Sequence, residues 1–178
     1  MDAITLLREQ MTSAHQSLEG TMAGVTPEQL HWAPAGRANP IGASYAHVIT
    51  GEDLVINGML RQTPPMFAAS WAHKTGMSEP MPGRIGPAWD DYAAWTRRVR
   101  IDVPALRAYA QAVYANTDAY LAALTAEDLD QPLDMSALGL GQVNLAWGLS
   151  NLVMGHVHDL MGEISCLKGL QGARGYPF

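Results

Sequence analysis

Residues 151–164 read NLVMGHVHDLMGEI and form the centre of a long helical pattern. Apolar residues recur around this stretch at steps of three or four, as on one face of an α-helix that turns about 100° per residue. The residues on this face are Leu145, Leu149, Leu152, His156, Leu160, Glu163, Leu167 and Leu170. The pattern predicts a helix over about residues 142–169, in which His156 faces the core, Glu163 points almost the same way and Asp159 flanks them.

Three earlier segments have the same helical periodicity. The first follows Asp2, whose side chain is suited to cap a helix. The second covers about residues 40–61. The third begins after Asp102, which is predicted to cap it, and ends near residue 124. Residues 26–29, Thr-Pro-Glu-Gln, have the capping-box pattern that starts a short helix. Together these segments predict four long helices with short extra helices between them.

A long connection follows the second helix. From residue 62 to residue 86, helix-breaking residues exclude a continuous helix. They are Pro64, Pro65, Gly76, Pro80, Pro82, Gly83 and Gly86. A connection of this length is often a lid or binding loop, and its Trp71 and His73 are placed to cover a pocket; a poorly ordered crossover is the alternative. Residues 133–141 are predicted to be irregular, and no segment alternates as a strand does.

The composition is that of one globular domain. The chain has 178 residues, of which 48% are hydrophobic and 16% charged, enough for a sizeable core. We therefore predict a single domain over residues 1–178. Its predicted fold is an all-α four-helix bundle with short extra helices and a long loop after the second helix.

Charge and hydropathy exclude several partners. A net charge of −6 argues against a basic nucleic-acid-binding surface, and no run of about 18 apolar residues predicts a membrane span. The N-terminal residues lack a signal-peptide pattern and Cys166 is the single cysteine, so a cytoplasmic location is expected. Met154, His158 and Met161 on the outward face of the fourth helix predict a homodimer contact.

The second helix carries polar residues on both of its sides. The angular count places Val48 and Val55 on the buried face. Thr50, Asp53, Asn57 and Arg61 fall on the opposite side and are predicted to face solvent.

Two helix-borne histidines predict a metal or acid/base site. His47 lies at the flank of the buried face of the second helix, and His156 lies in the fourth helix. Glu52 falls close to the buried face, and His15 lies on the apolar stripe of the first helix. A buried carboxylate is costly unless it is paired or bound to a cation. Helix bundles build metal sites from such inward-facing side chains.

Two short motifs resemble those of a known family. Small residues lead to His47 and then to Gly51-Glu52-Asp53, and the fourth helix resembles a His-x-x-x-His-x-Gly-Glu/Gln-Ile pattern. On these residues the chain resembles the DinB/YfiT-like superfamily of metalloenzymes, whose fold is a four-helix bundle. The resemblance implies a divalent metal such as zinc or nickel held by three histidines. It also implies transferase, isomerase or hydrolase chemistry that uses a low-molecular-weight thiol.

The sequence departs from that family at the third ligand. The resemblance places the first two ligands on His47 and His156, and the third on Leu160, which cannot bind a metal. Two histidines are too few for a tight zinc site. A carboxylate from the same helix, Asp159 or Glu163, is the predicted replacement, with Glu52 or His15 as further options. Alternatively the site has no metal, and the two histidines form a hydrogen-bonded or acid/base pair.

Two functions follow from these alternatives. The first is a metal-dependent transferase or hydrolase that acts on small thiol conjugates, with an atypical site formed by His47, His156, Asp159 and Glu163. The second is a non-enzymatic ligand-binding or stress-related bundle that has lost its metal. Both predict a small-molecule ligand.

Overall fold

The computed structural model describes residues 1–82 and 88–178, and its architecture is all-α. The first three long helices are α1 (Ala3–Thr21), α3 (Ile41–Asp53, continued by a π-helical stretch, Leu54–Leu60) and α5 (Val103–Ala122). The fourth consists of α6 (Leu145–Trp147), a π-helical stretch (Gly148–Gly155) and α7 (His156–Leu170). Two short helices, α2 (Pro27–His31) and α4 (Ala88–Arg98), precede α3 and α5.

The long helices form the predicted bundle. α1 packs against α5 and α7, and α3 packs against the same two helices from the other side. α1 and α3 therefore occupy opposite corners. The helical periodicity of the sequence leads to this arrangement, because the apolar stripe of each long helix has to be buried against a neighbouring helix.

Three helix starts are capped as the sequence predicted. Asp2 accepts a hydrogen bond from the backbone N–H of Thr5 at 2.8 Å. Thr26 and Gln29 form a reciprocal capping box at the start of α2. The side chain of Asp102 caps α5. Each cap satisfies backbone N–H groups that the first turn of a helix leaves without an internal partner.

The connection before the fourth helix differs from the prediction. Residues 133–141 were expected to be irregular, but Pro132–Asp134 (β1) pairs antiparallel with Gln142–Asn144 (β2). Because Gln142–Asn144 is extended, the helix starts at Leu145 and not at residue 142. Three-residue strands are too short to produce a recognisable period-two pattern, so these two strands could not be predicted.

Three of the four residues predicted to face solvent on the second long helix are buried, so the prediction was wrong for all of them except the exposed Arg61. Thr50, Asp53 and Asn57 are no more than 4% exposed. The α-helical count identifies the most apolar face of a helix, but it does not show what covers the other faces. Here α2, α4 and the 3-10 turn Met66–Ala68 all pack against α3.

Asp53 fixes the long connection to the bundle. Its carboxylate accepts hydrogen bonds from the backbone N–H groups of Met66 (2.9 Å) and Phe67 (3.0 Å). It also accepts bonds from the Tyr109 hydroxyl (2.6 Å) and the Asn57 amide (2.8 Å). Further along the connection, Met77 forms a β-bridge with Ile101. The helix-breaking residues Gly83 and Gly86 lie outside the described residues.

A polar layer divides the hydrophobic core. The larger apolar cluster contains Leu18, Ile49 and Val113, and the smaller one contains Met11, Ile56 and Leu121. Between these levels, α1, α3 and α5 contribute the buried side chains of His15, Glu52 and Thr117. A carboxylate at this position is costly to desolvate, so Glu52 needs hydrogen-bond or charge partners within the layer.

Candidate functional site

His47 on α3 and His156 at the start of α7 form a close pair. Their Nε2 atoms are 3.1 Å apart, and the ring planes meet at 81° with centroids 4.8 Å apart. His47 is buried, with 5% of its surface exposed, whereas His156 is half-buried. One ring is therefore fixed inside the bundle, and the other lies nearer its surface.

Gly51 makes room for this pair. A Cβ atom added to Gly51 would lie 2.9 Å from Cε1 and 3.3 Å from Nδ1 of His156. Tyr92 of α4 packs edge-on against His47, with ring centroids 5.6 Å apart. Any side chain at position 51 would push the His156 ring out of the narrow space between the two helices.

The buried face of α7 is not centred on His156. Val157 and Ile164 are no more than 1% exposed, and they lie about a quarter turn around the helix from His156. The predicted centre of the buried face was therefore wrong by about a quarter turn, since His156 lies at the edge of that face and not at its centre. Glu163 and Asp159 lie further outside that face, and both are exposed.

Leu160 stands where the family resemblance places the third ligand. It follows His156 by one helical turn and is 7% exposed within the larger apolar cluster. Histidines four residues apart on a helix can share one metal ion, but a buried leucine contributes only packing. Leu160 thus belongs to the apolar packing of α7.

The histidine pair has the spacing of two metal ligands. Nitrogen ligands about 2.0–2.1 Å from a tetrahedral zinc ion lie about 3.3 Å from each other, close to the 3.1 Å between the two Nε2 atoms. Within residues 1–82 and 88–178, however, no group of three or more His, Cys, Asp or Glu side chains is placed to hold a metal. The described residues therefore provide two converging nitrogen donors, fewer than the three protein ligands usual in an open zinc site.

The remaining predicted substitutes, His15 and Glu52, pair with each other. Nε2 of His15 lies 2.9 Å from Oε2 of Glu52, and the Thr117 hydroxyl donates to Oε1 of Glu52 at 2.6 Å. Both side chains are buried. The structure thus separates the four candidate histidines and carboxylates of the core into two sites, His47 with His156 and His15 with Glu52.

A second carboxylate organises the tyrosines next to His15. Glu19 accepts hydrogen bonds from the hydroxyls of Tyr45 (2.6 Å) and Tyr114 (3.0 Å) and from Nε of Arg107 (3.2 Å). Burial, and then the charge of Glu19, raise the pKa of both tyrosines above the ordinary range. The Tyr114 ring stacks on His15 with centroids 3.8 Å apart. Both phenols thus stay protonated, and Tyr114 holds the His15 ring in place.

Ser44, Gly51 and Tyr92 were not predicted as site residues. The buried hydroxyl of Ser44, one turn before His47, has no hydrogen-bond partner within the part of the chain that the structure describes. Gly51 carried the one usable signal, because a glycine inside a helix is costly unless close packing requires it. Nothing in the sequence indicates that α4 brings Tyr92 to His47.

The long connection encloses a cavity against α3. The cavity has a volume of about 340 Å³, and its lining includes Thr50, Phe67, His73, Met77 and Met81. His73 thus lies at a pocket, as expected, whereas Trp71 packs on the ring of Tyr109 with centroids 5.6 Å apart.

The predicted subunit-contact face was partly wrong. Met161 is buried, with 9% of its surface exposed, and Met154 is half-buried against the smaller apolar cluster. Of the three residues, His158 alone is exposed. None of the helices formed by the described residues is both long enough and apolar enough to cross a membrane.

An all-α bundle of four long helices is the architecture expected from the family resemblance. The chain belongs to the DinB superfamily, whose family model matches residues 10–159. This confirms the family resemblance and the fold expected from it.

A solved structure with the same fold matches nearly the whole length of both chains. It is the crystal structure of a conserved protein from Enterococcus faecalis, with a TM-score of 0.71. The two sequences are 22% identical, and the match covers 95% of this chain and 99% of that chain. At this identity the likeness concerns the fold alone. Among curated proteins no match is found.

Proposed function

We propose that His47 and His156 bind a divalent transition-metal ion through their Nε2 atoms, and that the protein is a metal-dependent transferase or hydrolase. The observation that carries the proposal is the convergence of these two nitrogens at 3.1 Å. Zinc and nickel both accept imidazole nitrogen. The superfamily resemblance favours small thiol conjugates as substrates.

The residues around the pair have distinct roles in this proposal. A bound metal ion would act as a Lewis acid toward an oxygen or sulfur atom of the substrate. Buried His47, with Tyr92 packed against its ring, is the fixed ligand. Half-buried His156 lies on the side open to substrate. Leu160, one turn after His156, is buried and offers the ion no ligand.

A ligand-binding bundle without metal is the second candidate function. The burial of Leu160 at the third ligand position favours it, because two protein ligands hold a metal weakly. In this case the two imidazoles form a hydrogen bond between their Nε2 atoms, one as donor and the other as acceptor. The cavity of about 340 Å³ beneath the long connection would then hold the ligand, since its lining is largely apolar.

Metal analysis of protein purified without added metal separates the two functions. We expect zinc or nickel in the wild type, and its loss in the His47→Ala/His156→Ala double variant. The control is His158→Ala, since His158 is exposed on the same helix. Calorimetric titration of chelator-treated protein with Zn²⁺ or Ni²⁺ gives the affinity. Equal metal content and affinity in the wild type and the double variant would contradict the proposal; stabilisation by apolar ligands alone would favour the second function.

A further inference from the structure

His15 lies at the inner end of a separate cavity between α1 and α5. This cavity has a volume of about 230 Å³ and is lined by Arg8, Met11, Thr12, Gln16, Tyr114 and Asp118 together with His15. The His15 side chain is 9% exposed, whereas that of its partner Glu52 is 1% exposed. The imidazole thus connects a sealed carboxylate to a space that solvent can enter.

The contacts of Glu52 determine which nitrogen of His15 carries a proton. An ionised carboxylate only accepts hydrogen bonds. One oxygen of Glu52 receives the Thr117 hydroxyl, and the other receives Nε2–H of His15. In the neutral imidazole, Nδ1 then has a free lone pair. Nδ1 makes no hydrogen bond to any residue in 1–82 or 88–178.

The ring cannot readily turn away from the cavity. Glu52 holds one edge of the imidazole, and Tyr114 stacks on its face. Tyr114 is in turn fixed through its hydroxyl by Glu19. An imidazole held by a carboxylate at one nitrogen, with the other nitrogen open to a cavity, has the arrangement of an enzymatic general base.

We propose that this cavity is a second ligand site, in which Nδ1 of His15 accepts a hydrogen bond from a small, uncharged molecule with an O–H or N–H group. The charges at the cavity already balance, because Arg8 pairs with Asp118 at 2.7 Å. Met11 and the Tyr114 ring supply apolar contacts to the body of the ligand. Glu52 is a positioning residue that fixes the proton on Nε2. This site is independent of the histidine pair formed by His47 and His156.

Phenol is a suitable probe, because it combines an apolar ring with one hydroxyl donor. Nitrogen NMR with chelator present reports the protonation of each imidazole nitrogen of His15 during a phenol titration. We expect a protonated Nε2, an unprotonated Nδ1 in the neutral ring, and a shift of the Nδ1 resonance when phenol binds. These observations concern His15 directly and involve no metal.

Two variants test the site in different ways. His15→Gln places an amide near the former Nε2, so the bond to Glu52 can persist while the Nδ1 acceptor is lost. Thr12→Phe fills the cavity from the exposed face of α1 and leaves His15 intact. We expect phenol to bind about tenfold more weakly to each variant, because His15→Gln removes one hydrogen bond and Thr12→Phe removes space for the ligand. The control His158→Gln should bind phenol as the wild type does.

Either of two results would overturn the proposal. One is a neutral His15 whose proton lies on Nδ1. The other is phenol affinity that is unchanged in Thr12→Phe, a measurement that remains available if His15→Gln does not fold.

Discussion

Gly51 and His156 meet where α3 passes α7, and their contact leaves no space for a methyl group. A Cβ atom on Gly51 would lie 2.9 Å from Cε1 of His156, which is closer than carbon atoms normally approach each other. A glycine in the middle of a helix lowers stability by about 0.5–1 kcal/mol relative to alanine. This helix accepts that cost at the one position where the two histidine rings have to come together.

Gly51→Ala should therefore disrupt the histidine pair. Overpacking of a tight contact costs about 1–3 kcal/mol, more than the helix gains from alanine, so we expect lower stability and altered His156 resonances. Gly169→Ala in α7 is the matched control, because an added Cβ there meets nothing within 4 Å, and it should raise stability by up to about 1 kcal/mol. Urea unfolding and histidine NMR measure both effects. Equal stabilisation by the two substitutions would show that position 51 does not confine His156.

Asp53→Asn should loosen the long connection. An asparagine side chain presents an NH₂ group in place of one carboxylate oxygen, and Oδ2 is the oxygen that accepts the hydrogen bonds from Phe67 and Tyr109. Hydrogen bonds to a charged acceptor contribute about 1.5–3 kcal/mol each, so we expect a loss of about 3 kcal/mol or more. Hydrogen exchange should accelerate at the Met66 and Phe67 amides before the rest of α3. The exposed Asp130 provides the control Asp130→Asn, and amide protection that is equal in both variants would contradict this role of Asp53.

More of the fold than of the candidate site could be predicted from the sequence. Caps at Asp2, Thr26 and Asp102 and the repeating apolar positions are local signals, and the structure confirms them. Asp53 was assigned to solvent because its own helix gives no information about the segment that covers it. Its role depends on residues more than ten positions away in the chain.

The site depends on small rotations that a sequence count cannot resolve. The prediction placed His156 at the centre of the buried face, which is an error of about a quarter turn. The same error led to the prediction that Glu163 points toward the core. Residues 148–155 are π-helical, and such a stretch has more residues per turn than the α-helix assumed in the count. The pairing of His15 with Glu52 was not predicted either, because it requires the relative heights of α1 and α3.

Buried tyrosines should make the protein sensitive to alkali. Burial, and next the charge of Asp53, raise the pKa of Tyr109 above its ordinary value. Above about pH 10 the unfolded chain loses phenol protons that the folded state retains, so stability is present below that pH and falls as the pH rises. We expect a weaker fall in Tyr109→Phe, and also in Tyr45→Phe, whose pKa is raised as well. Urea unfolding across this range, with phenolate absorbance, tests it; a pH slope equal to that of the wild type would contradict it.

Ser44→Ala should not destabilise the bundle. The buried Ser44 hydroxyl has no partner within the described residues, so its removal leaves stability unchanged or raises it by up to about 1 kcal/mol. Thr50→Val is the contrasting variant on the same helix, since the Thr50 hydroxyl donates to the carbonyl of Ala46 at 2.8 Å. It should lower stability by about 1 kcal/mol. Thermal unfolding compares the two, and a clear loss in Ser44→Ala would indicate that this hydroxyl contributes to the fold.

Leu160→His should create or strengthen metal binding. The new imidazole would lie one turn after His156, the spacing at which two helical histidines share an ion, and His47 already converges on His156 at 3.1 Å. Because three protein ligands are the usual set in an open zinc site, we expect Zn²⁺ affinity to rise at least about a hundredfold, equivalent to about 2.7 kcal/mol. The substitution also removes a buried leucine, so Leu160→Asn serves as the control for lost packing without a new imidazole. Calorimetric titration and Zn²⁺-dependent thermal stability measure the effect. If Leu160→His binds Zn²⁺ no better than Leu160→Asn, the two native histidines do not share a site that a third ligand can complete.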